Sequence, residues 1–223
     1  SSNIACGYHA GDPTWMQTTV NLSLANGVGI GAHPSFPDLM GFGRRNIATT
    51  PKETISYIKY QVGALQGFLG QRKLQHVKAH GALYNAAVNN DELAKAICQA
   101  ILEIDPNLIL VVLCGTRWVD IAKEMGNRIA RETFADRAFI ANGTLAPRSE
   151  PGAVLHDPIE VSERSVKMIT EGKVTAITGE EIPIEADTIC LHGDTPGAVE
   201  LAALIRKRFQ QADILVASMG TFC

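Results

Sequence analysis

Short apolar runs alternate with amphipathic stretches along the whole chain. Residues 3–6 read as a strand, and behind them Met16, Val20 and Leu24 share one face of a helix over residues 13–26. Asp12 is placed to cap that helix, Pro13 fits its first position and Gly27 its exit. Residues 28–32 form the next strand, followed by a proline- and glycine-rich loop over residues 34–49. Thr50, Pro51 and Glu53 spell a capping box. The helix it opens repeats Ile55, Ile58, Val62, Leu65 and Leu69. Residues 74–79 are a strand, and Leu93, Ile97, Ile101 and Ile104 line a helix over residues 91–104. Residues 108–114 are apolar throughout, as in a fully buried strand. A helix near residues 118–125, a strand over 128–134 and a second capping box at Asp157–Glu160, opening a helix to about residue 171, come next. The pattern closes with a strand over 188–191, a helix over 196–209 and a last strand over 213–217.

This alternation predicts an α/β fold with a mostly parallel sheet. The polar residues then choose between architectures. His9 follows the first strand and His33 the second, while Lys78 and His80 end the third. Asp136 and Arg137 follow the fifth, and His192 and Asp194 the sixth. An open doubly wound sheet concentrates function at one switch point, whereas a barrel gathers many strand ends around one mouth. The spread favours a barrel. With six or seven strands on offer, it is an incomplete or seven-stranded one, formed by residues 1–223 as a single domain.

Composition narrows the class. Of the 223 residues 46% are hydrophobic and 19% charged, enough to bury a core. A net charge of −3 gives no electrostatic reason to expect nucleic acid. The five cysteines are scattered, without a CxxC pair, and read as reduced thiols of a cytoplasmic protein. The strongest apolar run is too short to span a bilayer, and no signal peptide is visible. The opening residues read like the middle of a domain, so a further segment is expected ahead of Ser1.

Several motifs carry candidate chemistry, each with a plainer alternative. "GYHAGD" puts His9 and Asp12 in a turn at a helix N-terminus, where backbone N–H groups favour an anion. The plainer reading is a helix cap beside a polar loop histidine. His33 sits between an apolar strand and a proline-stiffened loop. Arg44, in "GFGRR", is suited to a carboxylate or phosphate. No GxxxxGK[ST] phosphate loop occurs. In "HVKAHGALYN", alternation puts His76, Lys78 and His80 on one face. A buried lysine is costly unless paired, so Lys78 is expected to meet an acid or a substrate; a wet edge strand is the alternative. Tyr84 lies just beyond. "FADRAF" adds Asp136 and Arg137, "APRS" adds Arg148, and "CLHGD" adds His192 and Asp194. Histidines and aspartates from separate strand ends can bind a divalent metal. The lysine and arginines among them oppose a cation, and no HExxH occurs, so the residues leave a metal open.

Taken in order, "NIACGYHAGD", "GAHPSFPD", "FGRR", "HVKAHGALYN", "FADRAF", "PRS" and "CLHGD" resemble the family of 5-oxoprolinase A subunits, also called LamB/YcsF-like, to about residue 212. The resemblance implies an irregular seven-stranded β/α barrel of the glycoside hydrolase/deacetylase type. It implies ATP-dependent opening of 5-oxoproline to L-glutamate, together with further subunits B and C, with ATP as co-substrate alongside Mg2+. Members begin with an acidic strand of the type DLNxDxGE. Nothing like it precedes Ser1, so the barrel is expected to lack its first strand here and to need it for turnover. Ala79 stands where a proline is common.

The chemistry fits that composition. A five-membered lactam is resonance-stabilised, and phosphorylating its oxygen makes that oxygen a leaving group. Under the resemblance, Arg44, Tyr84, Arg137 and Arg148 bind substrate or phosphate, with Lys78 contributing its charge. The catalytic set is His9, Asp12, His33, Lys78, His80, Asp136, His192 and Asp194. The partners are a small-molecule substrate, subunits B and C, and a second copy of the chain as a homo-oligomer, with neither nucleic acid nor membrane. Two other readings stand beside this one: a metal-dependent deacetylase or carbohydrate hydrolase on the same barrel, and a non-catalytic chain that only docks its partners.

Overall fold

The computed structural model describes residues 1–223. The chain forms β1 (Ser2–Ala5), α1 (Pro13–Ala25), β2 (Ile30–His33), α2 (Pro51–Gly67), β3 (His76–Val77), α3 (Gly81–Val88), α4 (Asp91–Ile104), β4 (Ile109–Leu113) and α5 (Arg117–Glu124). It continues with β5 (Arg128–Phe134), α6 (Pro158–Thr170), β6 (Lys173–Thr175), β7 (Glu181–Pro183), β8 (Thr188–Cys190) and α7 (Ala198–Gln211). Two compact units result. The first comprises Ser1–Val112, Arg117–Ala130 and Ser218–Cys223; the second comprises Leu113–Thr116 and Arg131–Ala217. The class is α/β, with parallel pairing among β1, β2, β3 and β4 and between β5 and β8.

In the first unit the order is β1-β2-β3-β4, with Asn3 opposite Gly31, Gly31 opposite His76, and His76 opposite Ile109. β3 therefore lies between two strands, and the wet-edge alternative for Lys78 falls. One side chain locks three of these strands. The His76 ring, fully buried, donates from Nε2 to Asn3 Oδ1 at 2.9 Å, and it passes directly beneath Gly31. A Cβ on Gly31 would sit 2.1 Å from that nitrogen, so glycine is required by the ring's path. Around the strands, Ile58, Val62 and Leu65 of α2 and Ile97 and Ile101 of α4 are buried where the two helices pack. The α2 capping box forms as the sequence predicts: Thr50 accepts from the Glu53 N–H, and the Glu53 carboxylate accepts from the Thr50 N–H.

The last residues complete this unit. Met219 packs with Ile109, Val111 and Ala130. Ser218 Oγ accepts from Gln75 Nε2 at 2.7 Å, and the Cys223 carbonyl accepts from Arg128.

In the second unit Glu132 pairs with Thr188 and Phe134 with Cys190. Arg131 grips Asp187 in a two-pronged bond, Nε to Oδ2 at 2.9 Å and the terminal nitrogen to Oδ1 at 2.7 Å, which fixes this register. α6 and α7 pack over Ala135, Val161, Leu201, Ile205 and Phe209.

Four expectations change. The strand over 74–79 shortens to His76–Val77, and helix α3 follows, in a stretch that carries no helical signal. An antiparallel β6–β7 hairpin occupies a stretch that reads as featureless. At α6 the Asp157 carboxylate takes the N–H groups of both Ile159 and Glu160, an N-cap in place of the reciprocal box. Residues 213–217 form no strand. Asp213 turns the chain at φ 54, and Leu215 is left 89% exposed. The Ile214 N–H turns back to the Phe209 carbonyl at 2.8 Å in place of a neighbouring strand.

Gly31→Ala is expected to cost about 1–3 kcal/mol by overpacking, read as a lowered denaturant midpoint. Displacement of the His76 ring should also show as a shifted imidazole resonance.

Candidate functional site

The first unit brings three imidazoles together. Behind β1, the Gly7 N–H bonds the Ala10 carbonyl at 2.8 Å, and Gly11, at φ +80, passes so close to β1 that a Cβ would lie 2.2 Å from the Ala5 carbonyl oxygen. This tight turn buries His9. The His9 ring lies flat on that of His80, with centroids 3.8 Å apart and planes 2° from parallel. Phe42 meets both rings edge-on, at 5.4 and 5.3 Å, and His33 meets His80 edge-on at 4.8 Å.

Hydrogen bonds assign the nitrogens. His33 Nδ1 is 2.7 Å from the Lys78 carbonyl, and His80 Nε2 is 2.8 Å from the Phe42 carbonyl. Carbonyls only accept, so both of these outer nitrogens donate. The inner nitrogens, His80 Nδ1 and His33 Nε2, face each other at 3.0 Å. A hydrogen bond between these two inner nitrogens therefore takes one proton more than the outer nitrogens carry.

The loop bearing Phe42 is clamped by Asp38, which is buried. Its carboxylate accepts from the Gly41 N–H at 2.9 Å, the Arg45 N–H at 3.2 Å and the Arg45 guanidinium. The Arg45 bond holds this carboxyl down at about 2. Gly43 then presses onto the stacked rings at φ +64, where a Cβ would come within 2.9 Å of His9 and His80.

Positive charge surrounds the cluster. The Arg44 guanidinium lies 5.0 Å from the Phe42 ring centre, and Lys78 Nζ lies 5.9 Å from that of Tyr84. Lys78 is only 4% exposed. Burial, then His80 and Arg44, push His9 down to about 3. Burial and Lys78 push His33 well below its ordinary value. Asp12 is used as the α1 cap, Oδ1 accepting from Thr14 and Trp15 at 2.9 and 3.1 Å.

The second unit holds the remaining candidates. Both Asp136 oxygens lie 2.9 Å from His192 Nδ1, and the His192 ring stacks on Phe134 at 5.7 Å. Burial pushes the Asp136 carboxyl up, but the His192 hydrogen bond and charge, with Arg148 behind them, bring it below its ordinary value. Arg137 is buried and donates to the Ala153 and Ala146 carbonyls, so much of its capacity goes to the backbone. Arg148 and Asp194 are exposed. No group of three or more His, Cys, Asp or Glu side chains is arranged to hold a metal ion, and the donor set does not fit one. A cavity of about 540 Å³ in the first unit is lined by Phe36, Asn46, Ile47, Thr49, Asn90 and Leu93 among others, and by none of these candidates.

The LamB/YcsF family model matches residues 1–222. This chain belongs to the LamB/YcsF family. Among curated relatives, the A subunit of 5-oxoprolinase from Pyrococcus furiosus is 54% identical over 224 residues, covering 100% of this chain and 88% of the relative. The corresponding A subunit from Syntrophobacter fumaroxidans is 50% identical, covering 99% of this chain and 88% of the relative. A crystal structure of the lactam utilization protein from Thermus thermophilus matches with a TM-score of 0.91 at 45% identity, over 97% of this chain and 87% of that one.

In this LamB/YcsF chain, sequence reasoning missed Ser35, Asp38, Gln61 and Arg164. Arg164 reaches from α6 to the carbonyls of Phe134, Ala135 and Arg137, at 3.0, 2.7 and 2.8 Å, holding the backbone on either side of Asp136. Its burial lowers the guanidinium to about 10. A signal existed, since Arg164 falls between the buried Val161 and Met168 on the inward face of its helix.

The buried imidazoles set a pH dependence. His9 and His76 are both lowered to about 3, mainly by burial, from 6.5. Between these values the unfolded chain binds more protons than the folded one. Stability is therefore fully present above pH 6.5 and falls as pH drops toward 3. Urea midpoints should begin to fall below about pH 6.5, ahead of the carboxylate range, and His76→Gln should flatten that slope.

Proposed function

We propose that this chain is the A subunit of an ATP-dependent 5-oxoprolinase, which opens 5-oxo-L-proline to L-glutamate in the cytoplasm together with subunits B and C. The observation that carries the reading is identity of 54% along the whole chain to a protein named as the A subunit of 5-oxoprolinase. The finer fold reading, an irregular seven-stranded β/α barrel, belongs to the same proposal and is supported by the match to the Thermus thermophilus structure.

The reaction would run in balanced steps. The lactam oxygen attacks the γ-phosphorus of ATP and ADP leaves. Water adds to the activated ring carbon and loses a proton. The ring C–N bond breaks as its electron pair goes to nitrogen, which takes up a proton. A second water releases phosphate from the acyl phosphate. Such a path needs cations for the carboxylate and the phosphoryl group, and proton carriers for water and ring nitrogen. Lys78 and Arg44 supply charge beside the imidazole cluster, with Arg148 supplying it beside Asp136; Tyr84 borders Lys78. The Asp136–His192 pair has the form of an oriented imidazole: Nδ1–H donates to the carboxylate, which leaves Nε2 to accept a proton. Mg2+ is expected to accompany ATP as its counter-ion. The donor set fits no resident protein-bound metal, and no step is assigned to one.

The test is 5-oxoproline-dependent release of glutamate and phosphate by the chain mixed with its candidate B and C subunits. Turnover is expected only with all three. Lys78→Met and His192→Gln should each lower kcat/KM by about 100-fold or more, with folding checked by circular dichroism. Unchanged turnover in both variants would leave the chain a docking component only.

A further inference from the structure

His33 and His80 face each other and two backbone carbonyls. The third imidazole of the cluster faces a serine. His9 Nδ1 lies 2.9 Å from Ser35 Oγ, and that hydroxyl has already placed its one hydrogen on the Phe36 carbonyl at 2.8 Å. The Ser35 oxygen can therefore only accept from His9, so the His9 proton sits on Nδ1 and Nε2 keeps a bare lone pair.

We infer that His9 Nε2 is the proton acceptor of the imidazole cluster, taking the proton of the water that adds to the ring carbon, and that Ser35 is the positioning residue that keeps it bare. The inference rests on the 5-oxoprolinase reading for the identity of the proton donor. The assignment of the Nδ1 proton rests on geometry.

Three features hold this arrangement. The ring cannot turn, because it lies against His80 on one face, meets Phe42 edge-on and has the Gly43 backbone pressed beside it. Ser35 cannot shift, because Gln61 clasps its backbone from α2. Gln61 Oε1 accepts from the Ser35 N–H at 2.9 Å, and Gln61 Nε2 donates to the Ser35 carbonyl at 2.9 Å and to that of Tyr57 at 3.0 Å. Ser35 and Gln61 are both fully buried. The ring also stays neutral at working pH, since burial, His80 and Arg44 all oppose its charging. In the reaction the water O–H bond breaks as its oxygen bonds the ring carbon, and the proton goes to Nε2. The lactam nitrogen, receiving the C–N electron pair, takes that proton back, and His9 returns to its starting form. An imidazolium formed beside Arg44 and the His80 ring is a strong acid and gives its proton up readily.

The experiment is imidazole 15N NMR on the full chain, combined with kinetics of the three-subunit mixture. His9 is expected as the Nδ1–H form with Nε2 unprotonated across the neutral range. Ser35→Ala should mix the two neutral forms and lower kcat by about 10- to 100-fold with little change in KM. A wild-type His9 carrying its proton on Nε2 would overturn the inference, as would a Ser35→Ala protein with undiminished kcat. The wild-type spectrum decides the nitrogen assignment even where Ser35→Ala does not fold. It also needs no turnover, so a mixture that fails to open 5-oxoproline counts against the functional reading and not against the nitrogen assignment.

Discussion

Two imidazoles stacked at van der Waals distance in a buried place cannot both carry charge. At 3.8 Å the His9 and His80 rings repel strongly if each is protonated, and Arg44 adds to the penalty at His9. The surroundings are built to respect this limit. Backbone carbonyls from Lys78 and Phe42 draw protons to the outer nitrogens of the His33–His80 pair, and a serine fixes those of His9. A neutral His9 with a chosen face is the result, a condition for proton transfer near neutral pH.

That condition depends on backbone more than on side chains. The Phe42 carbonyl reaches His80 only because Asp38 ties both ends of a short loop, from Gly41 to Arg45. Gly43 allows the loop to touch the stacked rings, and the Gly43 carbonyl in turn accepts the Ala82 N–H at 2.9 Å, at the first turn of α3. Loop, helix start and imidazoles thus support one another. In the second unit Arg164 does comparable work, spending a buried guanidinium on three carbonyls beside Asp136.

Much of this is legible in the chain. Repeated apolar spacing predicts α2 and α4, and β5 at its full extent, because each of these patterns is local. His9, His33, Lys78 and His80 can be grouped because each ends a strand or follows one. Helix α3 is not legible: it is only eight residues long, lacks charged positions and begins at His80 without a side-chain cap. Ser35 and Gln61 are hidden for another reason. Their partners are 26 residues away, and a serine beside a proline reads as an ordinary loop residue until the partner is known. The run at 213–217 misleads because apolar content alone does not supply a neighbouring strand.

The first unit is not continuous in the chain. Residues 131–217 lie outside it, and Ser218–Cys223 return to it, with Met219 against Ile109 and Gln75 bonded to Ser218. During synthesis, the histidine-bearing portion leaves the ribosome long before these closing contacts exist. The whole second unit must be made first. A nascent chain halted before residue 218 would carry all three imidazoles without the stitches that close their unit.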